Sequence, residues 1–292
     1  MVLPASRELA ILIAAVISFI LFIFAEKMNV HPMFDFSVFR IRNFSGALFG
    51  SMGMNFSFWP FMIYLPIYFQ SSLGYDSVTA GSALLAYTLP TLVIPPLAER
   101  LSFRYHPGVV IPLGLFTIGT GFILMRAGSA AEHASWLTML PGCLLAGIGL
   151  GLTNTPVTNT TTSSVPSTRA GMASGIDMST RLISLAINIA LMGYILIEGI
   201  LSSLRSSLSG SLDARQLRAL AERIAAGDLG VLSQGFPGSG SLDSSGTAVH
   251  AALVHGFGLV MLYGCIGAWV LAVASFVMFG PRERVREISP MV

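Results

Sequence analysis

Long apolar runs separated by short charged stretches dominate this chain. Leu9–Ala25, Phe44–Tyr75, Ser77–Ala98, Pro107–Met125, Ala134–Thr168 and Val249–Gly280 carry no Lys, Arg, Asp or Glu. Ala170–Leu201 is as apolar but contains Asp177, Arg181 and Glu198. A helix crossing the bilayer core needs about 20 mostly apolar residues, so these runs predict about seven transmembrane helices. Phe44–Tyr75 is long enough to include a loop, and Ala134–Thr168 has a polar end. The short alternation of a membrane β-barrel is absent, so the fold class is an all-α membrane protein. The first run reads as a helix rather than a signal peptide: its flank holds both Arg7 and Glu8, and Ala25-Glu26-Lys27 is a poor cleavage site.

The longest polar stretch, 202–248, carries its own pattern. In Leu212–Ile224, Leu217, Leu220 and Ile224 recur at helical spacing among Arg and Glu, which predicts a short amphipathic helix lying on the outer surface. Gly235–Ser241 reads as a flexible linker.

Composition narrows the function. Only 10% of the 292 residues are charged and 53% are hydrophobic, against roughly 25% charged in soluble domains. A soluble domain and a disordered chain are both excluded. Lys27 is the only lysine and has no glycines before it, so there is no Walker A loop and no ATP-driven motor. A lysine outside the runs also excludes a retinal Schiff base. Cys143 and Cys265 lie in apolar runs without His or acidic neighbours at ligand spacing, so no metal, cofactor or disulfide framework is expected. G-x-S-x-G and H-E-x-x-H are absent, so no enzyme is expected. The net charge of +2 points to no nucleic-acid partner. Basic residues set the orientation: with the N-terminus outside, Lys27, Arg40, Arg42, Arg100, Arg104, Arg169, Arg282, Arg284 and Arg286 all fall in the cytoplasm with the C-terminus.

Several residues stand out against the apolar background. Pro60, Pro66, Pro90, Pro95, Pro96, Pro112, Pro141 and Pro156 fall inside predicted spans, and bent helices in lipid are tolerated where they are buried in protein or line a water-filled cavity. That favours a transporter or channel over a passive anchor. Gly142, Gly147, Gly149 and Gly151 permit close helix approach. The run that follows places Asn154, Thr158 and Thr161 on one helical face and Thr155, Asn159 and Thr162 on the adjacent one. Such a stripe is costly against lipid and faces either a cavity or another helix. Asn154, Thr155, Thr158 and Asn159 are therefore candidates to line a substrate cavity, with Phe56 and Trp59 from an aromatic-rich segment. Tyr68 and Tyr75 are expected in an interfacial belt, as are His250 and His255 at the start of the last span. Asp177 and Arg181, at i and i+4, can form an intramembrane ion pair. The arginine keeps the acid ionised, which suits a gating or structural pair better than a proton carrier. Glu198 reads as an interfacial charge.

Four segments together resemble the C-terminal half of a major facilitator superfamily transporter of the fourteen-helix multidrug:proton antiporter branch. They are His31–Arg40 leading into Asn43-Phe44, Tyr68–Ser77 followed by Ala80-Gly81, Pro95–Leu101, and Gly147–Pro156 with Val165-Pro166 and Arg169–Gly175. Glu99-Arg100 occupy the acidic-basic position of a degenerate version of the superfamily's cytoplasmic loop motif. The resemblance implies that residues 1–43 form an extra transmembrane helix and linker. It implies that 44–292 form one six-helix half, with 202–248 as its outer loop. It further implies export of amphipathic, drug-like small molecules by proton antiport in a bacterial cytoplasmic (inner) membrane. The chain would then be incomplete without an N-terminal half, attached or separate, which in this branch holds the antiporter signature and the proton-exchanging acids. The expected partners are membrane lipid, the substrates, protons and that half. The alternative is a seven-helix scaffold or receptor-like protein that transports nothing.

Overall fold

A computed structural model describes residues 5–28, 35–56, 58–131, 133–207, 213–228 and 247–280. Gly235–Ser241 and the Pro281–Arg286 tail lie outside the described residues. Among those described, all regular structure is helical. The chain divides into two units, Met1–Ile41 and Arg42–Val292. The first holds α1 (Ala5–Met28), whose more apolar stretch is Ile13–Ala25, and a short 3-10 turn, Phe36–Arg40, capped by the Asp35 carboxylate.

The second unit is a helical bundle built around α7 (Pro107–Ser129) and α8 (Trp136–Ser163). These two, with α9 (Ala170–Ser207) and α11 (Thr247–Phe279), are long and apolar enough to cross a membrane. A fifth candidate is a bent pair: α4 (Ser77–Ala83) with α5 (Leu85–Val93), then α6 (Pro95–Tyr105) at 44°. The bend falls at Pro95-Pro96, where the missing N–H groups interrupt the helix ladder. The prolines inside α7 and α8 leave those helices continuous. The run Phe44–Tyr75 is not one helix. It forms α2 (Arg42–Met54) and α3 (Phe58–Ser71), separated just before Pro60. A proline in the first turn of α3 costs no intrahelical bond there, because those donors are orphaned anyway.

Glycines let the helices meet. On α7, Gly114 and Gly121 lie one heptad apart and face Gly149 and Gly142 of α8. A Cβ on Gly149 would fall 2.5 Å from the Gly114 carbonyl, and one on Gly121 would fall 2.8 Å from that of Gly142. The other face of α8 receives α5, with the Tyr87 carbonyl against Gly147 and Ile94 against Gly151. Two ends are closed by charge and by backbone geometry. Arg42 Nε donates to the Met278 carbonyl at 3.3 Å, a cation at the C-terminus of α11, which Gly280 ends with φ +70°. Asp76 caps α4, and the Thr79 hydroxyl bonded to its carboxyl holds that group below the usual carboxylate range.

Two expectations change here. Tyr68 is not an interfacial belt residue. It is 1% exposed, stacks on Phe257 with ring centroids 4.4 Å apart, and its hydroxyl donates to the Ser129 carbonyl at 3.3 Å. The amphipathic helix exists, as α10 (Ala214–Ala225), with a capping box between Asp213 and Gln216. Its apolar side is not spread on a surface. Leu217, Leu220, Ala221 and Ile224 are buried as α10 packs on α9 and α11. Glu198, expected at an interface, lies 3.6 Å from Arg218 of α10.

Candidate functional site

Polar side chains of α2, α8 and α9 meet at one node. On α8 and α9 these residues lie roughly one to three turns in from the Ser163 and Ala170 ends, or about 7–17 Å at 1.5 Å per residue, and Ser51 and Asn55 lie at the Met54 end of α2. Asp177 and Arg181 are one turn apart on α9 and form a two-point pair, with Nε 3.1 Å and Nη2 2.9 Å from Oδ2. The Asp177 side chain is 7% exposed and that of Arg181 17%. The second carboxylate oxygen accepts the Ser51 hydroxyl of α2 at 2.6 Å. Asn55, one turn on, donates its amide to the Ser51 carbonyl at 3.1 Å. Arg181 also reaches α8: Nη1 donates to Asn154 Oδ1 and Nη2 to Thr158 Oγ1, both at 2.9 Å. The guanidinium fork thus ties α9 to α8 while its carboxylate partner ties α9 to α2, a geometry a lysine could not reproduce.

The predicted polar stripe on α8 divides into two parts. Thr153 and Thr161 are buried and donate back to carbonyls one turn earlier, which satisfies them within the helix. Asn154, Thr158 and Asn159 are exposed and Thr155 is half-buried. The side chains of Thr155 and Asn159 make no hydrogen bond to another described residue. On α9, Met178 and Leu182, which lie within about 100° of Arg181 around the helix, are each more than half accessible. The result is one accessible surface carrying amides, hydroxyls, part of a cation and flexible apolar groups.

The other candidates are placed differently. Phe56 sits between α2 and α3, with its ring 5.4 Å from that of Tyr263 and packed over Gly267 of α11. The side chain of Trp59 lies outside the described residues. Glu99 and Arg100 are exposed on α6 and bond to no other described side chain. A second polar contact joins α9 to α11, where the Tyr263 hydroxyl donates to Asn188 Oδ1 at 3.0 Å. Tyr64 of α3 donates to the Ile189 carbonyl at 2.9 Å. Ser51 and Tyr263 carried no signal in the sequence and Tyr64 showed only as a member of the aromatic-rich segment, because the partner of each lies more than 70 positions away. Among the described residues no cluster of His, Cys, Asp or Glu could hold a metal ion.

Residues 8–189 match the sequence profile of the Major Facilitator Superfamily. The chain belongs to that superfamily. It is an integral membrane protein. Curated relatives include the multidrug resistance protein Stp of Mycobacterium tuberculosis, 29% identical over 219 residues, which are 75% of this chain and 40% of that protein. The quinolone resistance protein NorB of Staphylococcus aureus is 28% identical over 211 residues, 72% of this chain and 45% of NorB. The chain thus spans less than half the length of these curated relatives.

Proposed function

We propose that this chain is the C-terminal half of a drug-exporting secondary transporter of the fourteen-helix branch, taking amphipathic small molecules from a bacterial inner membrane in exchange for protons. The observation that carries the reading is the accessible polar face of α8 beside Arg181. Asn154, Thr158 and Asn159, with a cation, are expensive against lipid tails, so this face is expected to line an aqueous cavity. Its mixture of donors with Met178 and Leu182 suits a ligand that is polar at one end and apolar at the other. The relatives' names as resistance proteins support the same substrate class.

In this reading Asp177 and Arg181 do not carry the transported proton. They form the clamp that holds α2, α8 and α9 in one arrangement. Rocking of one half against the other exchanges the bonds from Arg181 to Asn154 and Thr158 for bonds to substrate or water. Phe56 and Trp59 are assigned to the apolar side of the cavity, and Glu99-Arg100 to the cytoplasmic motif. The cavity's opposite wall and the proton-exchanging acids are assigned to an N-terminal half, in line with the share of the relatives that the chain spans. The N-terminus is assigned outside and the C-terminus to the cytoplasm, on the arginine distribution.

Single cysteines at Asn154, Thr158 and Asn159 test the cavity, since Cys143 and Cys265 are both buried. In native membranes these positions react with a hydrophilic maleimide, and Ile266→Cys and Val270→Cys on the exposed apolar face of α11 stay unlabelled. Labelling of all five alike, or of none, overturns the cavity. Efflux of a cationic dye that a protonophore leaves untouched, from cells expressing the chain with its N-terminal half, overturns proton coupling.

A further inference from the structure

At the other end of α8 lies a second feature that transport does not use. A cavity of about 810 Å³, open on one side, is walled by the ends of α3 and α7, the α7–α8 connection and the first turns of α11. Its polar lining is basic: Arg126, His133, His250 and His255. No described carboxylate lines it. Arg126 is exposed, is one turn from the end of α7 and lies across α11 at Gly258, where an added Cβ would be 3.8 Å from its Nε. Its guanidinium makes no ion pair or hydrogen bond with a described residue. Ser72, at the same wall, has a buried hydroxyl without a hydrogen-bond partner. Leu73, Val254 and Leu259 supply apolar surface beside these groups.

We propose that this cavity binds the headgroup of an anionic phospholipid. The chemistry is that of a phosphate: a permanent cation, imidazole N–H donors and a hydroxyl without a hydrogen-bond partner converge on one space, and none of the described carboxylates lies among them. Position selects the membrane source over a free ion. Arg126 is close to the end of a helix of spanning length, at the depth where headgroups lie and where basic side chains meet them. The cavity is also far larger than one phosphate, being of the size that holds a whole small ligand, so the apolar residues have room to take the glycerol and the first carbons of the chains. The site belongs to the bundle Arg42–Val292 alone and does not depend on whether the chain transports anything.

The test is native mass spectrometry of the purified full chain in detergent micelles doped with phosphatidylglycerol, phosphatidylcholine or inorganic phosphate. The wild type retains phosphatidylglycerol in preference to phosphatidylcholine. Arg126→Gln weakens that retention by about tenfold or more, the range for a lost charged hydrogen bond. Ala251→Trp, at an exposed lining position, fills the space with the charges intact and weakens it comparably. Both substitutions are on the surface, and unchanged circular dichroism shows that the bundle is folded. Retention of phosphatidylglycerol by both variants at the wild-type level overturns the site. Equal retention of phosphatidylcholine removes the role of charge. Displacement of the lipid by inorganic phosphate at equal concentration makes the cavity a free-anion site instead.

Discussion

Replacing Arg181 by methionine keeps the length of the side chain and removes the whole fork. Four contacts are lost: two to Asp177, one to Asn154 and one to Thr158. What remains is a carboxylate 7% exposed that still accepts the Ser51 hydroxyl. Breaking one side of a buried pair costs about 3–5 kcal/mol, because the other charge is left uncompensated. Asp177→Asn is milder. Arg181 keeps its bonds to α8 and its partial exposure, so the expected loss is about 1–2 kcal/mol. The double variant Asp177→Asn/Arg181→Met leaves no buried charge and is expected to lose less than the sum of the singles, with a coupling of about 1.5 kcal/mol or more. Asn154→Ala removes one acceptor of the guanidinium and sets the scale, since single hydrogen bonds between membrane helices average about 0.6 kcal/mol and reach about 1.7. The assay is equilibrium unfolding of the purified chain in mixed micelles, followed by circular dichroism. Additivity of the two singles within about 0.5 kcal/mol would refute the node as a coupled unit.

Three other outcomes are expected from the same preparation. Gly147→Ala drives a Cβ into the Tyr87 carbonyl and costs about 1–3 kcal/mol in overpacking, while Gly175→Ala, with nothing within 4 Å, gains up to about 1 kcal/mol in helix propensity; a melting curve that moves the same way for both contradicts the close approach of α5 and α8. Leu220→Ala, fully buried on α10, costs about 2–5 kcal/mol, whereas Arg218→Ala loses an exposed pair to Glu198 worth about 1 kcal/mol at most; equal small effects would mean that α10 is not docked. The Asp76 carboxyl is held low in the folded chain, so its capping contribution is present above the ordinary carboxylate range and fades as the pH falls. Asp76→Asn is expected to flatten that part of the pH profile of melting, and an unchanged profile would remove Asp76 from it.

Sequence alone determined the solvent and the helices. Where charge is absent for 20 residues, the backbone must bond to itself and the side chains must meet lipid or each other. That reasoning reaches the membrane class, the long helices α7, α8, α9 and α11, and the i, i+4 pairing of Asp177 with Arg181, because each is local. It also found α10, since periodicity marks an amphipathic helix wherever its apolar side ends up. Tertiary structure decided what those faces touch. Tyr68 read as a belt residue because an amphipathic ring suits an interface, yet Phe257 and the Ser129 carbonyl, each from a distant helix, bury it. The glycines of α8 read as one small-residue run, and only packing sorted Gly142 and Gly149 toward α7 from Gly147 and Gly151 toward α5. The node itself needed Ser51 brought 126 positions along the chain to Asp177, and the basic cavity needed α3, α7 and α11 to end together. A sequence carries the period of each helix. Which faces become neighbours follows from the simultaneous packing of all of them.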